Sequence, residues 1–600
     1  MLDKGEVKRS NTELKVEQIK SLNKDKPRKS VYDSDEYSST SVLESPTPSG
    51  TPPPFVMNAT EHAIKHVLAD ASEHSLENST ENATEQVLAS AASAASGASG
   101  ASGANVNGNS LFLRNKKQKN KKEEEGSSPL VVGPLNSKGL LNPMHSIRYD
   151  RDGKLRSRFS DVKFVQNKTI FESEIIISSK FYGFYILFWF AISLLFCNTL
   201  VHYHLEKGSI LNAPIMVMLK TDLIKIGLTD LLMYLSMYGS FFLQLLIKKN
   251  FINWNKIGLI LQNIYQFFFL FFFLWFAEYH KYSWIGKVFL CLHSLVMLMK
   301  MHSYAFYNGY LWNITEELNF SKNYLLKYKE IEIDFDTLKS LKESINFCEF
   351  ELNYQTKDLK FPNNICLNNF FQYTMFPTVV YVIEYPRTKN IRWNYVLGKI
   401  LRIFGTIFIM VLIAQTWIYP LSLKAITLRS LPMIERIKNY PLLLFDLMTP
   451  FLLMYLLVWY LIWELILNAI AELSMFADRR FYGEWWNCVT WDEFARLWNI
   501  PVHEFLLRHV YHSSISALKL SKMNATFITF FLSSLIHELV MFVIFGKLRG
   551  YLLLLQMFQL PLVSISRSKY LKDKKIFGNI IFWFGIATGP SLMCSLYLTF

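Results

Sequence analysis

The chain has 600 residues, 51% hydrophobic and 15% aromatic, with 19% charged and a mean hydropathy of +0.16. A soluble chain of this length carries about 25% charged residues, so the composition argues against a soluble multidomain protein. Residues 1–180 hold 25 Lys+Arg against 23 Asp+Glu, while the hydrophobic remainder holds 38 against 26, the profile of a multi-span membrane protein with basic cytosolic loops. No dense basic stripe with recognition spacing supports a nucleic-acid partner.

Residues 1–150 read as a disordered cytosolic tail. Pro-rich SPTPSGTPPP (45–54), an Ala/Ser/Gly tract (89–103) and RNKKQKNKKEEE (114–125) bury too little apolar surface to offset chain entropy. The first 50 residues lack the apolar core of a signal peptide, so the N-terminus is expected in the cytosol. Residues 151–180 form a mixed, partly ordered juxtamembrane segment. Residues 181–600 read as an all-α integral membrane domain of about nine transmembrane helices, each needing about 20 mostly apolar residues. They fall near 181–202, 222–247, 257–279, 284–311, 400–421, 441–473, 525–547, 549–566 and 576–599. Residues 366–383, broken by Pro377, suit an interfacial or re-entrant helix better than a span.

A cytosolic N-terminus makes Lys248, Lys249 and Lys256 cytosolic, and also the basic run from Arg567 to Lys575, as the positive-inside tendency requires. Lys424, Arg429, Arg436 and Lys438 conflict, because they would be lumenal. The long loops 312–399 and 474–524 fall on the cytosolic side and are expected to be functional. None of the six cysteines forms a CxxC pair, so zinc and thioredoxin-like sites have no support.

The densest chemical signal is FYGEWWN: Phe481, Tyr482, Gly483, Glu484, Trp485, Trp486 and Asn487. An interfacial anchor would explain the tryptophans, but not Glu484 and Asn487. Thr490 to Glu493 form a capping-box pattern, and Trp491, Phe494, Leu497 and Trp498 follow at helical spacing. Pro501 interrupts, then Phe505, Leu506 and Val510 resume the pattern, which reads as one or two amphipathic helices on the cytosolic face. His503, Arg508, His509, Tyr511 and His512 give this mouth positive, hydrogen-bonding character suited to a phosphate-bearing co-substrate. Contact of the same groups with lipid headgroups is the plainer alternative.

His537 lies near the middle of an apolar span, with Ser533 four residues earlier on the same face. Ionisable groups in hydrocarbon face a cavity or partner, although a lone His also serves as an interhelical hydrogen-bonding group. A neutral imidazole there can take a proton from a buried, apolar alcohol. Glu538 is rotated about 100° away and reads as structural. Gly-rich phosphate loops, HExxH and GxSxG are absent, so hydride transfer, P-loop chemistry and zinc hydrolysis lack their parts.

FYGEWWN, WNIPVHEFLLRHVY and SSLIHELVMF together resemble the signature of the membrane-bound O-acyltransferase family, closest to its fungal sterol O-acyltransferase branch. HSLVMLMKMHSYAFYNGYLW (293–312), FELNYQTKDLKFPNN (350–364) and YPRTKNIRWNYV (385–396) support the likeness, which covers about 170–600. The resemblance implies an endoplasmic-reticulum enzyme, oligomeric as dimer or tetramer, with a tunnel through the membrane. Acyl-CoA would enter as co-substrate from the cytosol and the sterol from the lipid, with no metal or cofactor. His537 matches the catalytic histidine and Asn499 the asparagine near the thioester. His503, Tyr511, Lys522 and Ser533 match acyl-CoA contacts, and Tyr482, Trp485 and Asn487 a supporting and acyl-CoA-recognising motif. Glu484 stands where the family has Asp, one methylene shorter. Diacylglycerol acyltransferase is the family alternative, and a lipid transporter the non-enzymatic one. The preferred sterol and acyl chain are not encoded legibly.

Overall fold

The computed structural model describes residues 13–21 and 148–600, apart from 150–153, 174–177, 181, 209–216, 218–219, 329–332, 356–358 and 567–573. Most of the tail expected to be disordered, and most of the Arg567–Lys575 run, therefore lie outside the described residues. Residues 13–21 of that tail are helical, with Val16 and Ile19 buried. Lys15 lies 5.3 Å from the Phe320 ring centroid and Lys20 3.7 Å from the Asp334 carboxylate.

Inside a bilayer every backbone polar group needs an internal partner, so long apolar runs must be helical. Eight helical runs among the described residues are long and apolar enough to cross a membrane. The first four contain α1 (Tyr182–Lys207), α2 (Leu223–Lys248), α3 (Leu259–Tyr279) and α4 (Trp284–Lys327). After the shorter α5 (Phe335–Tyr354) and α6 (Leu367–Met375) comes α7 (Trp393–Ile413), continued through a π-helical turn into α8 (Tyr419–Leu428). Another π-helical turn, Tyr460–Ile466, joins α9 (Met433–Trp459) to α10 (Leu467–Leu473). The short α11 (Trp491–Leu497), α12 (Ile500–Phe505) and α13 (His512–Ser516) precede the span α14 (Lys522–Phe545). Then come α15 (Tyr551–Met557), α16 (Gln559–Ser566) and the last span, α17 (Lys575–Thr599).

The expected span at 549–566 is instead the pair α15 and α16, broken at Phe558. Pro561 has no N–H to give the Met557 carbonyl, which weakens the helix there. Loop 312–399 is also more ordered than expected, because α4 runs on to Lys327 and α5 packs against it. Within 366–383, α6 ends at Met375. Buried Lys300 of α4 donates to the carbonyls of Tyr373 (3.1 Å), Thr374 (3.0 Å) and Phe376 (2.6 Å), satisfying the end of α6. Two of the conflicting charges have local work: Lys424, in α8, pairs with Asp446 at 3.0 Å, and Arg436, in α9, donates to the carbonyls of Arg429 and Thr599.

Two cores position the site. One packs α2, α3 and α4 against α6 and the stretch to Ile383. The other is aromatic and holds the FYGEWWN loop against α9, α11 and α17.

Candidate active site

The FYGEWWN loop is a buried joint. Phe481, Tyr482 and Trp485 are buried, and the Trp485 ring meets Trp459, Trp498, Phe494 and Trp583 within 4.8–6.1 Å. This packing removes the interfacial-anchor reading for Trp485, whose ring faces protein on several sides. From α17, Asn579 donates to the carbonyls of Trp486 (3.0 Å) and Cys488 (2.9 Å), and the Trp583 indole donates to Trp486 (3.2 Å). Glu484 and Asn487 are exposed and bonded to each other, Asn487 Nδ2 donating to Glu484 Oε2 at 3.1 Å. The longer side chain of Glu484 therefore has room.

Thr490 caps α11 as its spacing implies, accepting from the Glu493 N–H, while Glu493 accepts from Val489. Asn499 caps α12, its Oδ1 accepting from the Val502 N–H at 3.3 Å. That bond orients the amide and leaves Nδ2 without a protein acceptor among the described residues.

A π-helical turn, Leu506–Tyr511, follows α12. Here the expected positive mouth is corrected. Arg508 is buried and spent on Asp161 (2.8 and 3.1 Å) and on the carbonyls of Phe159, Val162 and Tyr381. His509 pairs with Ser303 at 2.9 Å, and burial holds it neutral, well below the usual imidazole range. His512 donates to Asp161 at 3.1 Å. Burial, helped by nearby Arg496, lowers His503 to about 4, so it too is neutral near pH 7. His503 and Tyr511 keep free polar atoms with no hydrogen bond to the described residues. Lys522, exposed at the start of α14, has no ion pair among the described residues.

α14 carries the candidate His537. Phe531, Leu535 and Phe542 form its exposed face, while Ile536, Leu539, Val540 and Val543 pack against α3 and α4. Helical rotation puts His537 about 160° from Leu535. The imidazole thus lies away from that face, between the side of α14 packed on α3 and α4 and the buried Ser534 and Glu538, and it is exposed there. Its Nδ1 lies 2.7 Å from the Ser533 carbonyl. A carbonyl only accepts, so Nδ1 carries the proton and Nε2 of the neutral ring keeps its lone pair. Glu538 takes no part: its oxygens accept from Gly550 and Leu553 N–H and from the Tyr597 hydroxyl at 2.6 Å.

The membrane-bound O-acyltransferase family model matches residues 181–599. The chain belongs to that family. Sterol O-acyltransferase 2 of Candida albicans is 46% identical over 538 residues, 82% of this chain and 88% of its own length. The Saccharomyces cerevisiae protein of the same name is 51% identical over 433 residues, 71% and 67% of the two chains. Diacylglycerol O-acyltransferase 1 of Dictyostelium discoideum is 31% identical over 241 residues, only 40% and 37%. Within the membrane-bound O-acyltransferases, the chain therefore sits with the fungal sterol O-acyltransferases.

Two features of this O-acyltransferase escaped the sequence reading. Thr526 and Thr529 join Lys522, Ser533 and His537 in one polar stripe about 80° wide on α14. Counting polar residues at i, i+4, i+7, i+11 and i+15 would have found it. The second feature is a buried cluster beneath the motif. Lys399 of α7 donates to Glu464 Oε1 at 2.6 Å, and Tyr482 (2.7 Å) and Thr169 (2.6 Å) donate to Glu464 Oε2. Charged residues inside apolar spans are the signal for it.

Proposed function

We propose that this multi-pass membrane protein transfers the acyl group of a long-chain acyl-CoA to the 3β-hydroxyl of a sterol, giving a steryl ester and free CoA. The observation that carries the mechanism is the accessible His537 in the middle of a span, whose Nδ1–H is held by the Ser533 carbonyl and whose Nε2 can accept. Nε2 takes the hydroxyl proton as the sterol oxygen bonds to the thioester carbon. The C–S bond breaks, and the imidazolium returns its proton to the departing thiolate. Asn499 Nδ2 donates to the carbonyl oxygen as it gains charge, an interaction worth about 3–4 kcal/mol where such donors are preorganised. Lys522 meets the CoA phosphates at the mouth, about 22 Å along α14 from His537 by helical rise. The reading places the enzyme in the endoplasmic reticulum as a dimer or tetramer, with its N-terminus cytosolic.

The test is a labelled oleoyl-CoA assay on microsomes with sterol and diacylglycerol as competing acceptors. Wild-type protein is expected to make steryl ester, and His537→Ala none while still inserting normally. Near-wild-type esterification by His537→Ala would remove that residue from the mechanism. Triacylglycerol as the main product would move the activity to the diacylglycerol branch.

A further inference from the structure

The segment before α1 runs across the loops that build the site and is fastened to them by side-chain and backbone bonds. Arg148 donates twice to Glu317 of α4 at 2.8 Å, and Ser157 donates to Glu351 of α5 at 3.0 Å. Asp161 accepts from Arg508 and His512, and Asn167 bonds through side chain and backbone to Asp478 and Ala477. Thr169 donates to Glu464. The family match starts at residue 181, so this strap lies outside it.

One anchor stands out. The Asp161 and Arg508 side chains are 5% and 3% exposed. Burial works against the Asp161 charge, but the bonds from His512 and Arg508 outweigh it and hold the carboxyl at about 2. A π-helical turn interrupts the regular hydrogen-bond ladder and is frequent at functional sites; Leu506–Tyr511 is one of several in this chain. Three of its nearby polar side chains are fixed from outside: Arg508 and His512 by the strap, His509 by Ser303 of α4. His503 and Tyr511, on either side of Arg508, have no hydrogen bond to the described residues, although the Tyr511 ring lies 5.5 Å from that of His512.

We infer that Asp161 is a positioning residue for acyl-CoA: by holding Arg508 and His512 it sets the turn so that His503 and Tyr511 face the co-substrate. This rests on the acyl-CoA reading of the mouth given above. Asp161 bonds to the turn at Arg508 and His512 and makes no hydrogen bond to His537 or Asn499, so loosening it is expected to weaken acyl-CoA binding before it alters turnover.

Steady-state kinetics and binding on the full chain in detergent test this. In Asp161→Asn, KM for oleoyl-CoA is expected to rise about fivefold or more, with kcat within about twofold and the sterol KM unmoved. Asp161→Glu, which keeps the charge, should recover part of that loss. His512→Gln spares the Arg508 bonds and should give a smaller shift in the same direction, so the test stands even if Asp161→Asn fails to accumulate. Binding of a non-transferable thioether analogue of oleoyl-CoA should weaken in step. Reduced thermal stability with an unchanged acyl-CoA KM and unchanged analogue binding would overturn the proposal, as would equal shifts in both KM values. Absence of sterol esterification by the wild type would count against the proposed activity, while analogue binding would still report on Asp161.

Discussion

A histidine's role in this protein is set by what surrounds its ring. His537 is fixed by one backbone carbonyl and keeps an accessible lone pair; His509 and His512 are tied into the fold; His503 has no hydrogen bond to the described residues and is neutral. The sequence shows that imidazoles cluster near the site. It does not show which are used up, because their partners lie about 200 to 350 residues away. For His503 the consequence is measurable. Its folded value of about 4 lies below the ordinary 6.5, so the unfolded chain takes up a proton first as pH falls. Its contribution to stability is present above pH 6.5 and declines towards pH 4, by up to about 1.4 kcal/mol per pH unit. His503→Gln should flatten that acid limb in thermal unfolding of the detergent-solubilised protein. It should also leave the shape of the rate profile between about pH 6 and 9 unchanged while raising the acyl-CoA KM, because a group at about 4 does not titrate there. A rate profile that lost a limb near neutrality would show His503 to be charged in the working enzyme.

At the level of elements, the spans were legible and their interruptions were not. Apolar runs such as those of α2 and α14 leave the backbone no alternative to helix in hydrocarbon, so α2 begins and ends within a residue of its expected bounds. Tertiary packing set the rest: α4 outlasts its apolar stretch because α5 covers it, and π-helical turns leave no local composition signal. The motif loop was legible as a signature but its setting was not, since α17 supplies the residues that hold it. Gly585 of α17 illustrates how tight that contact is. A Cβ built there would lie 2.5 and 2.7 Å from the Cζ2 and Cη2 atoms of Trp491, a rigid ring. Gly585→Ala should cost about 1–3 kcal/mol by overpacking and lower the melting temperature of the purified protein. In Gly585→Ala/Trp491→Phe the two effects should be clearly less than additive, since the smaller ring relieves the clash. Strict additivity would mean that α17 and α11 adjust independently.

Across the whole molecule, distant parts of the chain meet at one carboxylate. Glu464 gathers α7 through Lys399, the motif loop through Tyr482 and the strap through Thr169, all buried. A charge in a span has to be matched by partners, and here the partners come from regions that must be registered against one another for the site to form. Removing one member leaves the other buried and uncompensated, which costs about 3–5 kcal/mol, whereas replacing a whole pair with apolar groups is often neutral. Lys399→Met should therefore sharply reduce the melting temperature and the yield of folded protein, as should Glu464→Leu. The double variant Lys399→Met/Glu464→Leu should recover much of the loss in stability. It leaves Tyr482 and Thr169 with only the 3.1 Å hydrogen bond between their own hydroxyls, so the motif loop and the strap lose their registration against the span that carries Glu464. Stability and activity should consequently part company in the double variant, with folded protein returning and steryl-ester synthesis staying low. Recovery of both together would show that the pair serves the fold alone, and that Tyr482 and Thr169 find their positions without it.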